Sequence, residues 1–212
     1  MFDFGFNEKI MEKLSEAAAL ANPGWQRVVA PDLEHVTADG WRALDRQRAA
    51  WLQRVRPDTI LTLFSAGAGH GSFGYETTMY EHCLRAGTKA LRDGLAEETV
   101  AAVLLHDIGY PLGPQSHGEM AALILAPYIS EANEWMLRHH QIFIDRHSAQ
   151  HPEAEPDARE KFRGHPHFEW TATFCERYDQ CTIAAGDEAL PLDAFMPLLN
   201  RVFAGPLREV RT

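Results

Sequence analysis

The sequence predicts an all-α protein, and three observations lead to this prediction. Apolar and polar residues alternate at helical spacing in several separate segments of the chain. Helix-ending and helix-starting residues, such as Asn22-Pro23-Gly24 and Leu190-Pro191, bound these segments. Signals for strands are weak throughout the 212 residues.

The same helical spacing predicts the position of each helix along the chain. Pro57 is expected to end the second helix, and Ser116 with Glu119 is expected to form a capping box at the start of the fifth. Residues 145–166 are polar and rich in Pro and His, which indicates a surface excursion. The predicted helices cover residues 7–21, 39–55, 77–93, 96–107, 116–126, 131–144, 167–181 and 191–203.

Length and composition fit one domain with a normal core, because 45% of the residues are hydrophobic. We expect a single domain over residues 1–212. Within it we expect an N-terminal helical extension at about 1–64, a functional core at about 72–182, and a C-terminal helix at about 190–204.

Charge and cysteine content narrow the function classes. The net charge is −10 and no basic stripe is visible, so nucleic acid is not expected as a partner. No run of 18 apolar residues and no leader are visible, so we expect no membrane contact and a cytoplasmic location. Cys83, Cys175 and Cys181 lack CxxC spacing and are predicted to be reduced thiols. The expected partner is a small-molecule substrate.

Residues 65–76 form a glycine-rich segment, SAGAGHGSFGYE. It lacks the GK[ST] ending of a phosphate-binding P-loop, and no strand clearly precedes it. A loop over a pocket is the favoured interpretation, with Tyr75 and Glu76 as candidate lid residues that contact substrate. An ordinary connection is the alternative.

The main functional signal is the placement of histidine and aspartate on helices. The chain has eleven histidines, and His106-Asp107 ends an apolar helix, VAAVLLHD. Burying the Asp107 carboxylate alone would be costly, and a bound cation offsets that cost. The following Ile-Gly-Tyr-Pro breaks the helix, so both side chains can turn to one centre.

Five helices would each present one or two ligands to that centre, as in helical bundles with two-metal sites. Imidazole and carboxylate without thiolate suit iron, manganese or zinc. Asp107, beside a ligand in the middle of the set, is the natural bridge between two ions. The predicted metal ligands are His82, His106, Asp107, His117, His140 and Asp179.

Other histidines stay open or are expected to be solvated. His139 competes with His140, because helical periodicity alone does not decide which of the two faces the core. The histidines in the polar, Pro-rich segment are expected to face solvent. These are His147, His151, His165 and His167.

The ordered pattern His82, His106-Asp107, Asp179 resembles the HD superfamily of metal-dependent phosphohydrolases, over roughly residues 72–182. His117 and His140 resemble the additional ligands of its dinuclear branch. WMLRHHQIF is similar to the Arg-aromatic-His segment of the myo-inositol oxygenase family, which places the ligand on His140. RYDQ is similar to the segment that carries that family's last ligand. The Glu81-His82 pair and the SHGE segment resemble HD-domain oxygenases of aminophosphonates.

This resemblance implies a specific arrangement. One metal would take His82, His106, Asp107 and Asp179, and the other would take Asp107, His117 and His140. It further implies a mixed-valent Fe(II)/Fe(III) pair that binds a small substrate and dioxygen in an HD-type helical bundle with additional N- and C-terminal helices.

The sequence is compatible with three functions. The first is a di-iron oxygenase acting on a small hydroxylated substrate of the polyol or hydroxy-phosphonate class. The second is a phosphohydrolase acting on a phosphoester or nucleotide, and the third is a regulatory module without catalysis. Aromatic residues near His140 favour the first. Arg85 and Lys89, at i+3 and i+7 from His82, are candidate contacts to an acidic substrate group, with solvated surface charge as the alternative.

Overall fold

The structure of the protein is a computed structural model that describes residues 24–184, 186 and 188–209. Helices and turns make up the regular structure of these residues, and no strand occurs among them. The all-α prediction is therefore confirmed. The helix predicted over residues 7–21 lies outside the described residues. The chain divides into two compact units, residues 1–56 and 57–212.

The long first helix, α1 (Ala38–Ala66), continues through Pro57, so the prediction that it ends before this proline is wrong. An interior proline costs about 3 kcal/mol because it removes a backbone donor and crowds the preceding turn. One and two turns beyond the proline, Ile60 and Phe64 are buried in the core with only 5% of their surface exposed. Burial of these apolar side chains offsets the cost of the proline.

The remaining helices pack in pairs within residues 57–209, with α2 on α3, α4 on α5, α5 on α6, and α7 on α3. No helix in the described part of the chain is long and apolar enough to cross a membrane. All three cysteines are free thiols, as predicted. The helices are α2 (Met79–Arg92), α3 (Glu97–Leu104), α4 (His117–Leu125), α5 (Glu131–Ile144), α6 (Phe168–Phe174) and α7 (Leu192–Ala204).

The short helix α3 lies at the centre of the core. Residues from Val100 to Leu104 are at most 1% exposed, as expected for a helix that is apolar on all sides. The helix ends at Leu104, three residues earlier than predicted. His106 and Asp107 therefore lie in the turn that follows, where two adjacent side chains are free to point to one place.

The helix-start signals are only partly as predicted. A capping box does form at α2, where Thr78 Oγ1 accepts from the Glu81 amide and Glu81 accepts from the Thr78 amide, both at 3.1 Å. The box expected at Ser116 and Glu119 does not form. Ser116 ends a 3-10 turn that runs directly into α4 and makes no side-chain cap, and the Glu119 carboxylate instead accepts from Arg138.

The segment between α5 and α6 was predicted as a surface excursion. It contains two 3-10 turns, Asp145–His147 and Ala158–Phe162. Phe162 packs its ring against Trp135 and Phe143, so one end of the segment is tied to the core. Most of its other residues are exposed or half-buried.

Candidate metal centre

The structure brings all six predicted ligand side chains together in the interior. Each of these side chains belongs to a residue with at most 8% of its surface exposed. They come from five places in the chain, so the cluster depends on the tertiary fold. The contributors are His82 from α2, His106 and Asp107 from the turn after α3, His117 from the start of α4, His140 from α5, and Asp179 from the turn after α6.

One half of the cluster contains four donor atoms. The Nε2 atoms of His82 and His106 lie 3.1 Å apart. Asp179 Oδ1 lies 3.4 Å from His82 Nε2, and Asp107 Oδ2 lies 3.4 Å from His106 Nε2. Two ligand atoms bonded to one ion at about 2.1 Å are separated by roughly 3.0–3.5 Å. These separations therefore suit a single shared ion.

The other half contains three donor atoms. His117 Nε2 and His140 Nε2 lie 2.9 Å apart. Asp107 Oδ1 lies 3.1 Å from the first and 3.4 Å from the second. Asp107 thus presents one carboxylate oxygen to each half of the cluster, which is the geometry of a bridging carboxylate between two ions.

Backbone carbonyls fix the protonation of three of the imidazoles. The Nδ1 atoms of His106, His117 and His140 lie 2.9, 2.6 and 2.7 Å from carbonyl oxygens. A carbonyl only accepts, so each Nδ1 carries the proton and each Nε2 presents a lone pair to the cluster. The three acceptors are the carbonyl oxygens of Val103, Pro114 and Leu137.

A threonine hydroxyl fixes the protonation of the fourth imidazole, that of His82. His82 Nδ1 lies 2.9 Å from Thr182 Oγ1. The hydroxyl donates its own proton to the carbonyl oxygen of Asp179 at 2.8 Å, so it accepts from His82. His82 Nε2 therefore also presents a lone pair. Such outer hydrogen bonds orient metal-binding histidines and raise their basicity.

The donor set fits metal ions. Two pairs of imidazole lone pairs face each other at 3.1 and 2.9 Å without a proton between them, which is repulsive unless a cation intervenes. Asp107 Oδ1 is buried and accepts no hydrogen bond from the described residues. A buried polar atom without a hydrogen bond is unfavourable unless it has another partner. A metal ion would be that partner both for the facing imidazole lone pairs and for Asp107 Oδ1.

The pKa shifts of the cluster residues also favour metal binding. Burial raises the pKa of Asp107, but His106 and the other imidazoles outweigh it and hold this pKa well below the usual range. Burial also opposes ionisation of Asp179, yet His82 and His106 lower its pKa. Burial lowers the pKa of His106 to about 4, so this ring is neutral near pH 7. Neutral imidazoles and ionised carboxylates are the protonation states that bind metals.

Two other imidazoles have a pKa above the ordinary value. Burial lowers the pKa of His82, but the Asp179 carboxylate outweighs it and the net pKa is raised. The pKa of His117 is raised in the same way, with Asp107 outweighing burial. The carboxylates of the cluster thus favour positive charge at His82 and His117.

Asp179 occupies a π-helical turn, Cys175–Asp179, at the end of α6. The amide of Gln180 donates to the carbonyl of Cys175, five residues earlier, at 3.0 Å. A π turn inserts an extra residue and redirects the side chains after it, and such turns occur often at functional sites. The aromatic pattern FCERYDQC gave no signal for this turn.

Gly118 is a site residue that the sequence did not reveal. A Cβ atom at this position would lie 2.6 Å from the carbonyl oxygen of Leu137 and 3.0 Å from Cε1 of His140. Any side chain here would displace the His140 ring or its carbonyl partner. The glycine therefore allows α4 and α5 to approach closely enough for His117 and His140 to face one another.

A cavity of about 290 Å³ opens onto the cluster. Its floor includes His82, Asp107, His117, His140 and Asp179. No Lys or Arg is among the described residues that line it. The rest of its wall is formed by Phe73, Tyr75, Thr77, Thr78, Met79, Tyr110, Gln141, Ile144, His147, Ser148, Gln180 and Ile183.

The predicted substrate contacts are only partly at this cavity. Tyr75 lines it, whereas Glu76 does not. Arg85 donates to the carbonyl of Ala184 at 3.1 Å, and Lys89 donates to the Cys181 thiol at 3.5 Å. Neither is among the residues that line the cavity, and their contact with substrate stays a prediction. The helical spacing places them beside the segment after the π turn instead.

The choice between His139 and His140 is decided by packing. His139 stacks on Trp135 with ring centroids 4.0 Å apart and donates from Nδ1 to the Trp135 carbonyl at 2.8 Å. His140 points into the cluster. His147 is exposed, as expected, but it also lines the cavity, two turns along from His140.

Tyr110 is another cavity residue that the sequence did not single out. Its ring lies 5.3 Å from the His117 ring and stacks on Phe73 at 5.8 Å. It lies three residues after Asp107 in HDIGYP, and this proximity to the ligand pair was the available signal. Phe73 and Tyr75 bring the glycine-rich segment to the same wall.

The comparisons with known proteins bear on this cluster. The family model for the HD domain matches residues 79–162, a segment that contains His82, His106, Asp107, His117 and His140 and stops before Asp179. No curated protein matches the chain. HD domains are all-α and bind divalent metals, and proteins that contain them are generally metal-dependent enzymes of hydrolase or oxygenase type. Residues 79–162 are thus similar to an HD domain, and five of the six residues of the candidate His/Asp metal centre lie within this segment.

Proposed function

We propose that the protein is a di-iron HD-domain oxygenase that oxidatively cleaves a small, polar, hydroxylated substrate with dioxygen. The observation that carries this proposal is the position of Asp107. Its Oδ2 faces His106 at 3.4 Å and its Oδ1 faces His117 at 3.1 Å, so one carboxylate serves two sets of ligands. One ion would be held by His82, His106, Asp107 and Asp179, and the other by Asp107, His117 and His140.

The ligand types support iron. Four imidazoles and two carboxylates with no thiolate match the preferences of Fe, Mn and Zn. Cys83 and Cys175 are buried, and burial raises the pKa of both thiols well above the usual value, so neither offers a thiolate. Among the three metals, iron supplies the chemistry that an oxygenase needs: binding of substrate hydroxyl oxygens and one-electron reduction of dioxygen.

The cavity supports a hydroxylated substrate over a phosphoester. With no Lys or Arg among the described lining residues, the charge of a phosphoester would be met by the metal ions alone. Hydroxyl, amide and imidazole groups instead offer neutral hydrogen bonds to substrate hydroxyls. These groups belong to Thr77, Thr78, Tyr110, Gln141, His147 and Gln180.

The surroundings of the centre exclude water from one side. The rings of His106 and His140 lie edge-on to Phe174, with centroids 5.2 and 5.9 Å away. Phe174 itself is fully buried. Phe73 and Tyr75, which are both largely exposed, line the cavity as well.

A metal-dependent phosphohydrolase is the second candidate, and the HD-domain match is the observation that favours it. Two metals held by these two sets of ligands could also lower the pKa of a bound water and stabilise in-line displacement at phosphorus. The two functions differ in metal, in co-substrate and in the bond that is cleaved.

The deciding experiment is metal analysis combined with turnover. Protein purified from iron-rich medium is expected to hold about two irons per chain and to show a mixed-valent electron paramagnetic signal after partial reduction. Small diols, polyols and hydroxylated aminophosphonates would be screened for dioxygen uptake. Zinc- or manganese-loaded protein that turns over a phosphoester without dioxygen would support the hydrolase and contradict the oxygenase.

A further inference from the structure

A second, much smaller cleft also reaches Asp107. Its volume is about 30 Å³, and Met79 and Asp107 are the two residues it shares with the substrate cavity. The remaining wall is formed by Leu63, Phe64, Gly67, Cys83, Ile108 and Pro111, together with Tyr80. Asp107 therefore borders two spaces of different size and chemistry.

The walls of the cleft are apolar. Asp107 and the Tyr80 hydroxyl are the groups that can hydrogen-bond through side-chain oxygen, and the other side chains are aliphatic, aromatic or thiol. A buried water needs about two to four polar partners, so this space is poorly suited to hold water. Empty apolar cavities in proteins take up small apolar molecules such as xenon.

The size of the cleft limits what can enter. One water-sized molecule needs roughly 10–15 Å³ of this kind of volume. A space of about 30 Å³ admits a diatomic molecule and excludes an organic substrate. The larger cavity of about 290 Å³ is the one that suits a substrate.

Burial changes along the cleft from rim to floor. Pro111 is exposed, and Leu63 and Gly67 are half-buried. Phe64, Ile108 and Cys83 are 5%, 3% and 2% exposed. The cleft thus extends from residues at the surface to buried Asp107, the residue whose carboxylate faces both ligand sets.

We propose that this cleft is the entry and docking site for dioxygen, an apolar diatomic molecule, and that substrate and dioxygen reach the metal centre through different walls. This inference rests on the proposed oxygenase function. It explains how the second reactant reaches the centre while an organic molecule fills the larger cavity.

Two neighbouring glycines provide a matched test. A Cβ at Gly67 would lie 3.7 Å from Tyr80 Cβ and 4.0 Å from Tyr80 Cδ2, which is ordinary contact, so Gly67→Leu places a side chain beside this wall of the cleft without a backbone clash. Gly69 is in the same 3-10 turn, does not line the cleft, and has nothing within 4 Å of its Cβ position. Gly69→Leu is therefore the control.

The first measurement uses xenon as the probe and requires no turnover. Crystals of the metal-loaded protein under xenon pressure are expected to show a xenon atom between Phe64, Cys83 and Ile108 by anomalous scattering. Gly67→Leu should remove this atom, and Gly69→Leu should retain it. Absence of xenon from the wild-type cleft, or equal occupancy in Gly67→Leu, would overturn the inference.

The second measurement follows dioxygen. In rapid mixing of reduced, substrate-bound enzyme with limiting dioxygen, Gly67→Leu should lower the second-order rate constant several-fold, with substrate affinity unchanged. If Gly67→Leu consumes dioxygen at the wild-type rate, the role of the cleft is overturned and the proposed oxygenase function is not. A protein that binds xenon in the cleft but consumes no dioxygen with any substrate would overturn the proposed function together with it.

Discussion

Thr182 and His82 are 100 positions apart in the chain, yet the threonine hydroxyl accepts a hydrogen bond from His82 Nδ1 at 2.9 Å. The same hydroxyl donates to the carbonyl of Asp179 at 2.8 Å. One oxygen atom therefore orients a candidate ligand on α2 and supports the turn that carries another. Thr182 is fully buried, so no water can replace it.

Replacing Thr182 by valine should weaken one metal site. Thr182→Val keeps the shape but removes the acceptor for His82, so affinity for the ion in that half should fall by about 10–100-fold. Competition with a chromophoric chelator measures this. Thr171→Val is the matched control, because Thr171 is equally buried and its hydroxyl donates only to the His167 carbonyl. Equal affinities in the two variants would contradict the role of Thr182.

Single-ligand variants should separate the two sites. His82→Ala is expected to lose the ion shared with His106 and Asp179, and His117→Ala the ion shared with His140, because each removes a donor from one half only. Metal content by mass spectrometry of the purified variants checks this. His139→Ala, which removes the neighbouring ring stacked on Trp135, should keep both ions. Loss of both ions from each ligand variant would instead show one inseparable cluster.

Gly118→Ala should destabilise the protein. The new methyl group would lie 2.6 Å from the Leu137 carbonyl oxygen, and overpacking of this kind costs about 1–3 kcal/mol. Urea unfolding of the metal-free protein measures the free energy. Gly71→Ala is the control, because nothing lies within 4 Å of its Cβ position. Equal stability of the two variants would show that α4 and α5 are less tightly packed.

The ion pairs of Glu134 with Arg138 and Arg208 predict a pH-dependent stability. Burial raises the pKa of Glu134, but the two guanidinium groups outweigh it and the net pKa lies below the usual 4.5. The stabilisation is therefore present above that value and is lost as the pH falls through the lowered pKa of the folded state.

Glu134→Gln should lower the free energy of unfolding by about 1 kcal/mol near neutral pH, and the difference from wild type should disappear under acidic conditions. Thermal unfolding across this range measures the difference. Glu131→Gln is the control, since Glu131 is also in the first turn of α5 but is exposed. A difference that persists in acid would exclude the ion pairs as its cause.

The His106-Asp107 pair was predictable because its signal is local. A charged Asp107 directly after Val103, Leu104 and Leu105 requires a partner in any buried environment, whatever the rest of the fold. The burial of the second half of α3 followed from the uniformly apolar stretch Val100 to Leu104. Pairing of these residues with His82 and Asp179 needed the resemblance to a family, because spacing alone does not bring distant helices together.

Other features depend on packing and were not predictable from local patterns. Pro57 lies within α1 because the turns after it bury Ile60 and Phe64, a tertiary effect. The support of His82 by Thr182 joins residues that are far apart in sequence. Arg85 shares a helix with His82, but its hydrogen bond to the carbonyl of Ala184 draws it away from the substrate cavity.

The central claim is that Asp107 bridges two ions, and metal analysis of one pair of variants tests it most directly. Wild-type protein should bind about two irons per chain with a mixed-valent electron paramagnetic signal from coupled ions. Asp107→Ala should lose that signal and most of both irons. Glu119→Ala, which removes a carboxylate on α4 outside the cluster, should keep the signal and both irons. A wild-type protein with one ion per chain, or an Asp107→Ala variant that keeps two coupled ions, would contradict the claim.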